Sequence, residues 1–231
     1  MAKSKKEWVV GIDLGGTKIY AAVIDRKGTI LGSERKKTKS ELGFPATVSR
    51  MADCARQAVV NAGVSWDGIR AVGVGSPGPL DMKKGMIIES PNLAWKEAPL
   101  KKELKRLLKK PVYVDNDCNV GILGEHAYGA AREARDVIGF FVGTGIGGGI
   151  IIGGKLLHGF NENAGEIGHV ILDPHGPRCG CGNNGCLEAF ASRLSIEREI
   201  RAAIAAGTPS PLFEGVENPD APIRSRRLLE A

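Results

Sequence analysis

The chain spells one pattern twice. Trp8 to Ile12 is a short apolar run that ends in Asp13-Leu-Gly-Gly-Thr-Lys18. Ile19 to Asp25 resumes as a strand, Lys27-Gly28 turns, and Thr29 to Lys37 returns. Further on, Val137 to Val142 ends in Gly143-Thr-Gly-Ile-Gly-Gly-Gly149. Ile150 to Ile152 resumes, Gly153-Gly154 turns, and Lys155 to His158 makes a third strand. Strand, glycine turn, strand, strand in each half predicts two related α/β lobes facing each other, residues 1–118 and 119–231, with a phosphate-binding turn from each.

The remaining text fits that frame. Pro45 opens a helix to about Ala62, with Val48, Met51, Ala52, Ala55 and Val59 at helical spacing. Ile69 to Val74 reads as a buried strand ending in Gly75-Ser-Pro-Gly-Pro79, and Leu100 to Lys109 as a short amphipathic helix. Pro111 to Val114 is a strand ending in Asp115-Asn-Asp-Cys-Asn119, with Asn119 or Asp117 as the cap of a helix to about Ala131. Leu187 to Ala206 reads as one helix, and Ile223 to Ala231 begins another helical pattern.

Composition narrows the class. The longest apolar runs are far too short to span a bilayer, and the basic N-terminus is not followed by the apolar h-region of a signal peptide. A cytoplasmic protein without a membrane partner is expected. The net charge is +6, but aromatics make up only 5% and do not interleave with the basic runs. A solvated surface is therefore expected rather than a nucleic-acid interface.

Cys179, Cys181 and Cys186 are three of only five cysteines, packed into eight positions. Three soft thiolates and one imidazole make the usual ligand set of a closed, tetrahedral zinc site. His169 and His175 both lie within reach along the chain. The spacing is not that of a nucleic-acid zinc finger. Gly180, Gly182 and Gly185 supply the sharp turns that such close ligands need. A disulfide cluster fits less well, since three cysteines leave one unpaired.

The other motifs carry oxygen and phosphate chemistry. Asp13, Gly15, Gly16, Thr17 and Lys18 offer a carboxylate, amide donors, a hydroxyl and an ammonium, which suits a metal-bound polyphosphate. This is not a Walker loop. Thr144 and Gly145 belong to a second row of amide donors. The Gly143, Gly145, Gly148 spacing also matches a dinucleotide fingerprint, but that motif must open a helix, and β-branched residues follow here. Gly75-Ser76-Pro-Gly78 misses a nucleophile elbow by one position, because Val74 stands where glycine is needed. A carboxylate in Asp115-Asn116-Asp117 could take the proton of an attacking hydroxyl while neighbouring amides hold the substrate. Glu166, His169 and Glu188 flank the cysteines, so a metal that fixes this loop would also fix groups suited to gripping sugar hydroxyls.

These pieces, in this order, resemble the ROK family (repressors, open reading frames, sugar kinases) of the actin-like ATPase superfamily, with the ribonuclease H-like fold. The resemblance rests on D-L-G-G-T-K at 13–18, G-S-P-G-P at 75–79, S-P-N-L-A-W at 90–95 and D-N-D-C-N at 115–119. It continues through G-T-G-I-G-G-G at 143–149 and E-I-G-H to C-G-C-G-N-N-G-C-L-E at 166–188. It implies Asp117 as catalytic base and Asn92, Asn116, Asp117, Glu166, His169 and Glu188 as sugar contacts. It implies zinc on His169, Cys179, Cys181 and Cys186, and ATP phosphates with Mg2+ at Asp13, Gly15 to Lys18, Thr144 and Gly145. The activity implied is ATP-dependent phosphorylation of a hexose, with glucose ahead of fructose, N-acetylmannosamine or N-acetylglucosamine. The full-length form is expected to be a homo-oligomer, a dimer. Two other readings are a sugar-responsive repressor and a non-catalytic sugar-binding remnant. Repressors of this family carry a helix-turn-helix before the first motif, and twelve residues precede Asp13 here, too few for one. Family kinases continue past residue 231, so the second lobe is expected to be incomplete, with hexose bound better than ATP.

Overall fold

The computed structural model describes residues 7–213 and residue 223. Three strands open it: β1 (Trp8–Leu14), β2 (Lys18–Ile24) and β3 (Ile30–Lys37). Helix α1 (Phe44–Asn61) and strand β4 (Ile69–Ser76) follow. Next come three short strands, β5 (Leu80–Asp81), β6 (Met86–Ser90) and β7 (Trp95–Ala98). Then come α2 (Leu100–Leu108), β8 (Val112–Asn116) and α3 (Asp117–Tyr128). The second glycine turn lies within β9 (Val137–Val142), β10 (Ile146–Ile152) and β11 (Lys155–Leu156), and α4 (Leu187–Ala191) and α5 (Arg193–Ala205) follow the cysteine loop.

The main sheet has the order β3-β2-β1-β4-β8. β2 runs antiparallel to β1 and β3, while β1, β4 and β8 are parallel. Parallel strands put all their C-terminal ends on one edge, where ligands of open α/β sheets gather. The register makes this concrete: Asp13 pairs with Gly75, Gly75 with Asp115, and Ser76 with Asn116. The first glycine turn and the Asp115–Asn119 segment therefore leave the same edge.

Helix α1 begins with proline in its first turn and buries Val48, Met51, Ala52, Ala55 and Val59, the stripe its spacing predicts. Helix α2 buries Leu100, Leu104 and Leu108, one residue per turn, with lysines between. These side chains join Val10, Leu14, Ile19, Ile69 and Ile87 in one core. Each fully buried Leu or Ile contributes about 1.5–3 kcal/mol of transfer free energy.

The chain gathers into two units by contact. One holds residues up to 139 together with 149–165, and the other holds 140–148 together with 166 onward. This follows compactness, whereas the 118/119 division follows the sequence repeat and falls in the first turn of α3. In the second unit the buried hydrophobic cluster among the described residues is Cys179, Cys186 and Ala189.

Four local expectations change. The helix expected over 187–206 is two helices, because Ser192 is extended and its hydroxyl caps α5 by accepting from Ser195 N at 3.1 Å. Helix α3 is capped by Asn116, not by Asn119 or Asp117; Asn119 lies inside the helix and is buried. Strand β10 begins at Ile146, so Gly147 to Gly149 pair as strand rather than turn. The small sheet β5-β6-β7 was not expected, since strands of two to five residues are too short to print a period. The helical pattern from Ile223 to Ala231 lies outside the described residues apart from Ile223.

Candidate active site and metal centre

In the first unit, β1 delivers Asp13 to the sheet edge and the chain turns back at once. Gly15 N–H donates to Lys18 O at 2.9 Å, closing the turn. Thr38, fully buried, clamps it from outside: its hydroxyl donates to Gly15 O at 2.7 Å and its N–H to Thr17 O at 2.9 Å. Sequence reading missed Thr38, which carries no motif of its own. Asn92 sits in a single helical turn, Pro91–Leu93, against Gly16, where an added Cβ would lie 3.5 Å from Asn92. Asp13, Asn92 and Asp117 are all exposed.

Asn116 and Asp117 form the junction of β8 and α3. Asn116 Oδ1 accepts from Cys118 N at 2.9 Å and Asn119 N at 3.2 Å, so its amide nitrogen stays free of the cap. Asp117 follows at the first helical position, and one of its oxygens accepts from Cys118 N at 2.9 Å. The Asp13 side chain reaches water, yet the surrounding strand ends displace part of its hydration. That loss of solvent, and then the charge of Asp117, hold the Asp13 carboxyl above its ordinary value of 3.8. A carboxylate strained in this way gains from a cation beside it.

In the second unit, the turn after β9 is closed by Gly143 N–H to Gly145 O at 2.8 Å, and Gly143 O accepts from Arg193 N at 2.9 Å. Thr144 and Gly145 lie in this turn. Ile146 N–H donates to Glu188 Oε2 at 2.8 Å. A Cβ on Gly145 would collide with that same oxygen. Glu188 is therefore a strut under the glycine turn, a contact that spacing does not reveal.

The cysteine loop folds on short backbone ties. Cys179 N–H donates to Asn183 O at 2.8 Å, Gly185 N–H to Pro177 O at 2.8 Å, and Leu187 N–H to Val170 O at 2.9 Å. Gly185 has φ 70°, and a Cβ there would run into Asp173 O, so only glycine fits. The loop brings ligand atoms of His169, Cys179, Cys181 and Cys186 within 4.8 Å of one another. His175 is not in this group. Cys181 Sγ lies 3.7 Å from Cys186 Sγ, and Cys179 Sγ lies 3.7 Å from His169 Nδ1. A tetrahedral ion with ~2.3 Å bonds to sulfur and ~2.0–2.1 Å to nitrogen needs edges of about 3.5–3.8 Å. The donor set and its separations fit such an ion. Burial, and then the contacts with the neighbouring sulfurs, push the Cys186 thiol up to about 12. Burial likewise raises Cys179, while backbone hydrogen bonding lowers Cys181, so a cation would be needed for all three sulfurs to stand together as thiolates.

The other His169 nitrogen, Nε2, lies 4.0 Å from Glu166 Oε2. Glu188 Oε1 lies 3.7 Å from Cys179 Sγ. The structure thus gathers Glu166, His169 and Glu188 around the cysteine loop, and Asp13, Asn116 and Asp117 along one sheet edge. Among the described residues no helix is long and apolar enough to cross a membrane.

The sequence profile of the ROK family matches residues 9–225. The glucokinase of Streptomyces coelicolor is 36% identical over 231 residues, covering 94% of this chain and 69% of that enzyme. The xylose repressor of Caldicellulosiruptor bescii is 34% identical over 223 residues, covering 96% of this chain and 55% of the repressor. Among solved structures, a ROK glucokinase from Streptomyces griseus in complex with glucose and AMPPNP superposes with a TM-score of 0.76 at 35% identity. It covers 97% of this chain and 70% of that one. The architecture is the mixed α/β, actin-like ATPase fold of these neighbours. A profile match across nearly the whole length, on a chain that folds the two glycine turns and the cysteine loop as described, has one reading: the chain belongs to the ROK family.

Proposed function

We propose that this chain carries the hexose-phosphorylating machinery of an ATP-dependent sugar kinase, with glucose as the first candidate substrate and glucose 6-phosphate as product. The observation that supports it most directly is the shared edge of β1, β4 and β8. That edge holds a phosphate-type turn beginning at Asp13 and a carboxylate, Asp117, at the start of a helix. In this reading Asp117 accepts the proton of the sugar 6-hydroxyl as its oxygen attacks the γ-phosphorus and the bond to the ADP oxygen breaks. Asn92, Asn116, Glu166, His169 and Glu188 orient the hydroxyls. Asn116 uses its amide nitrogen, since its oxygen is committed to the helix cap. Asp13, Gly15 to Lys18, Thr144 and Gly145 hold the phosphates and their Mg2+.

His169, Cys179, Cys181 and Cys186 would hold zinc. The ion, when bound, neutralises the sulfurs and fixes the loop. Nδ1 of His169 faces the sulfurs, which leaves Nε2 for a sugar hydroxyl. Glu188 is braced from the glycine turn by Ile146 N–H.

The test is an ATP-dependent phosphorylation assay over glucose, fructose, mannose, N-acetylmannosamine and N-acetylglucosamine, with Asp117→Asn in parallel. Turnover should fall by ~10²–10⁴-fold in the variant while hexose affinity changes little. A variant that keeps near wild-type turnover removes Asp117 from its role. The likeness to xylose repressors supports a second reading, a sugar-binding regulator. Hexose binding by calorimetry with no phosphorylation by the wild-type chain would favour it.

A further inference from the structure

We infer that His158 is a positioning residue: through its hydrogen bond to Asp115 it fixes the start of helix α3 and thereby the carboxylate of Asp117. The inference rests on the reading of Asp117 as base. His158 Nε2 lies 2.9 Å from Asp115 Oδ2. An ionised carboxylate can only accept, so Nε2 carries the proton. The second oxygen, Asp115 Oδ1, accepts from Asn116 N at 2.7 Å and from Asn119 Nδ2 at 2.9 Å. Asn116 in turn accepts from the amides of Cys118 and Asn119. Asn119 is buried and its own Oδ1 has no protein partner, so the bond to Asp115 is what anchors its amide. One carboxylate thus ties the residues on both sides of Asp117, and His158 is what holds that carboxylate from outside the helix.

His158 is itself held. Its carbonyl accepts from Ala164 N at 3.0 Å, which closes the loop after β11. The same loop is pinned at its other side, where Glu162 Oε2 accepts from Met82 N at 2.7 Å. The imidazole therefore comes from a fixed segment of the first unit, not from a free surface chain. The pair is partly open to water, with side-chain exposures of 39% for His158 and 21% for Asp115. A pair of that kind adds little to global stability. Its worth lies in geometry, where outer-shell partners typically carry about 10–100-fold in activity.

The experiment compares wild type, His158→Ala and His158→Gln; glutamine can place an amide nitrogen near the imidazole Nε2. Amide hydrogen exchange at Cys118 and Asn119 should quicken by about 10-fold or more in His158→Ala and return toward wild type in His158→Gln. Where the wild type phosphorylates hexose, kcat should drop by about 10–100-fold in the alanine variant with KM nearly unchanged, and recover in part with glutamine. The melting temperature should move by no more than about 4 °C. Unchanged exchange at Cys118 and Asn119 overturns the inference. So does an unchanged kcat in an active protein, or a loss that tracks melting temperature and that glutamine does not relieve. A wild type that phosphorylates no hexose overturns the kinase reading instead, and the exchange rates still decide whether His158 holds the turn.

Discussion

Asp13 is the residue at which the proposed function and stability pull in opposite directions. Burial and the nearby Asp117 raise its pKa, so the folded state holds its proton more tightly than the unfolded chain does. Stability therefore falls as pH rises from the ordinary value through the raised one, and the deficit persists at neutral pH. Asp13→Asn removes it. The expected outcome is a higher melting temperature at pH 7, a gain that shrinks as the pH is lowered toward 4, and loss of Mg-ATP-dependent turnover. Thermal melts at both pH values with a parallel assay check this, and a lower melting temperature at pH 7 would refute it. The role proposed for this residue was read from Asp13-Leu-Gly-Gly-Thr-Lys18. Its strain was not, because the packing that strips its water, and then the charge of Asp117, come from segments distant in sequence.

At the scale of elements, the glycine turn after β9 and the cysteine loop are joined by one side chain. Glu188 accepts from Ile146 N–H and fills the space where a Cβ on Gly145 would go. Neither Gly143 nor Gly145 has positive φ, so backbone strain does not distinguish them. A Cβ on Gly143 would meet nothing within 4 Å. Gly145→Ala should therefore displace the Glu188 carboxylate and cost about 1–3 kcal/mol through the lost charged hydrogen bond, with weaker hexose binding. Gly143→Ala should leave both nearly unchanged. Denaturant melts and calorimetric titration with glucose test the pair, and equal effects at the two glycines would refute the strut. Helix edges teach a related lesson. The sequence near 115–119 offered Asn119 or Asp117 as the cap, and the structure uses Asn116 instead, with Asn119 drawn inward to Asp115. Ser192 splits 187–205 because its hydroxyl binds Ser195 N–H, a choice that helical periodicity across the break conceals.

At the scale of the whole molecule, the two units rest on different means of support. The first has a broad apolar core between α1, α2 and the main sheet. In the second, the buried apolar cluster among the described residues is two of the cysteines and one alanine. If the cysteine loop holds zinc as proposed, removing it should therefore loosen the second unit and spare the first. Hydrogen exchange with and without chelator is the measurement. Amides of residues 166–192 should lose protection, while those of β1, β4 and β8 keep theirs. Equal loss in both units, or none in either, would count against a metal-held second unit. The sequence by itself determined the local chemistry: where the glycine turns fall, which loop holds three thiols, and which stripes of α1 and α2 are apolar. These follow from spacing along a single stretch of chain. Only the tertiary structure decided that Thr38 clamps the first turn, that Glu188 braces the second, and that His158 reaches Asp115. Each of these joins segments that are distant or unpatterned in sequence, and pairing between such segments is set by strand register and close packing, which no local period encodes.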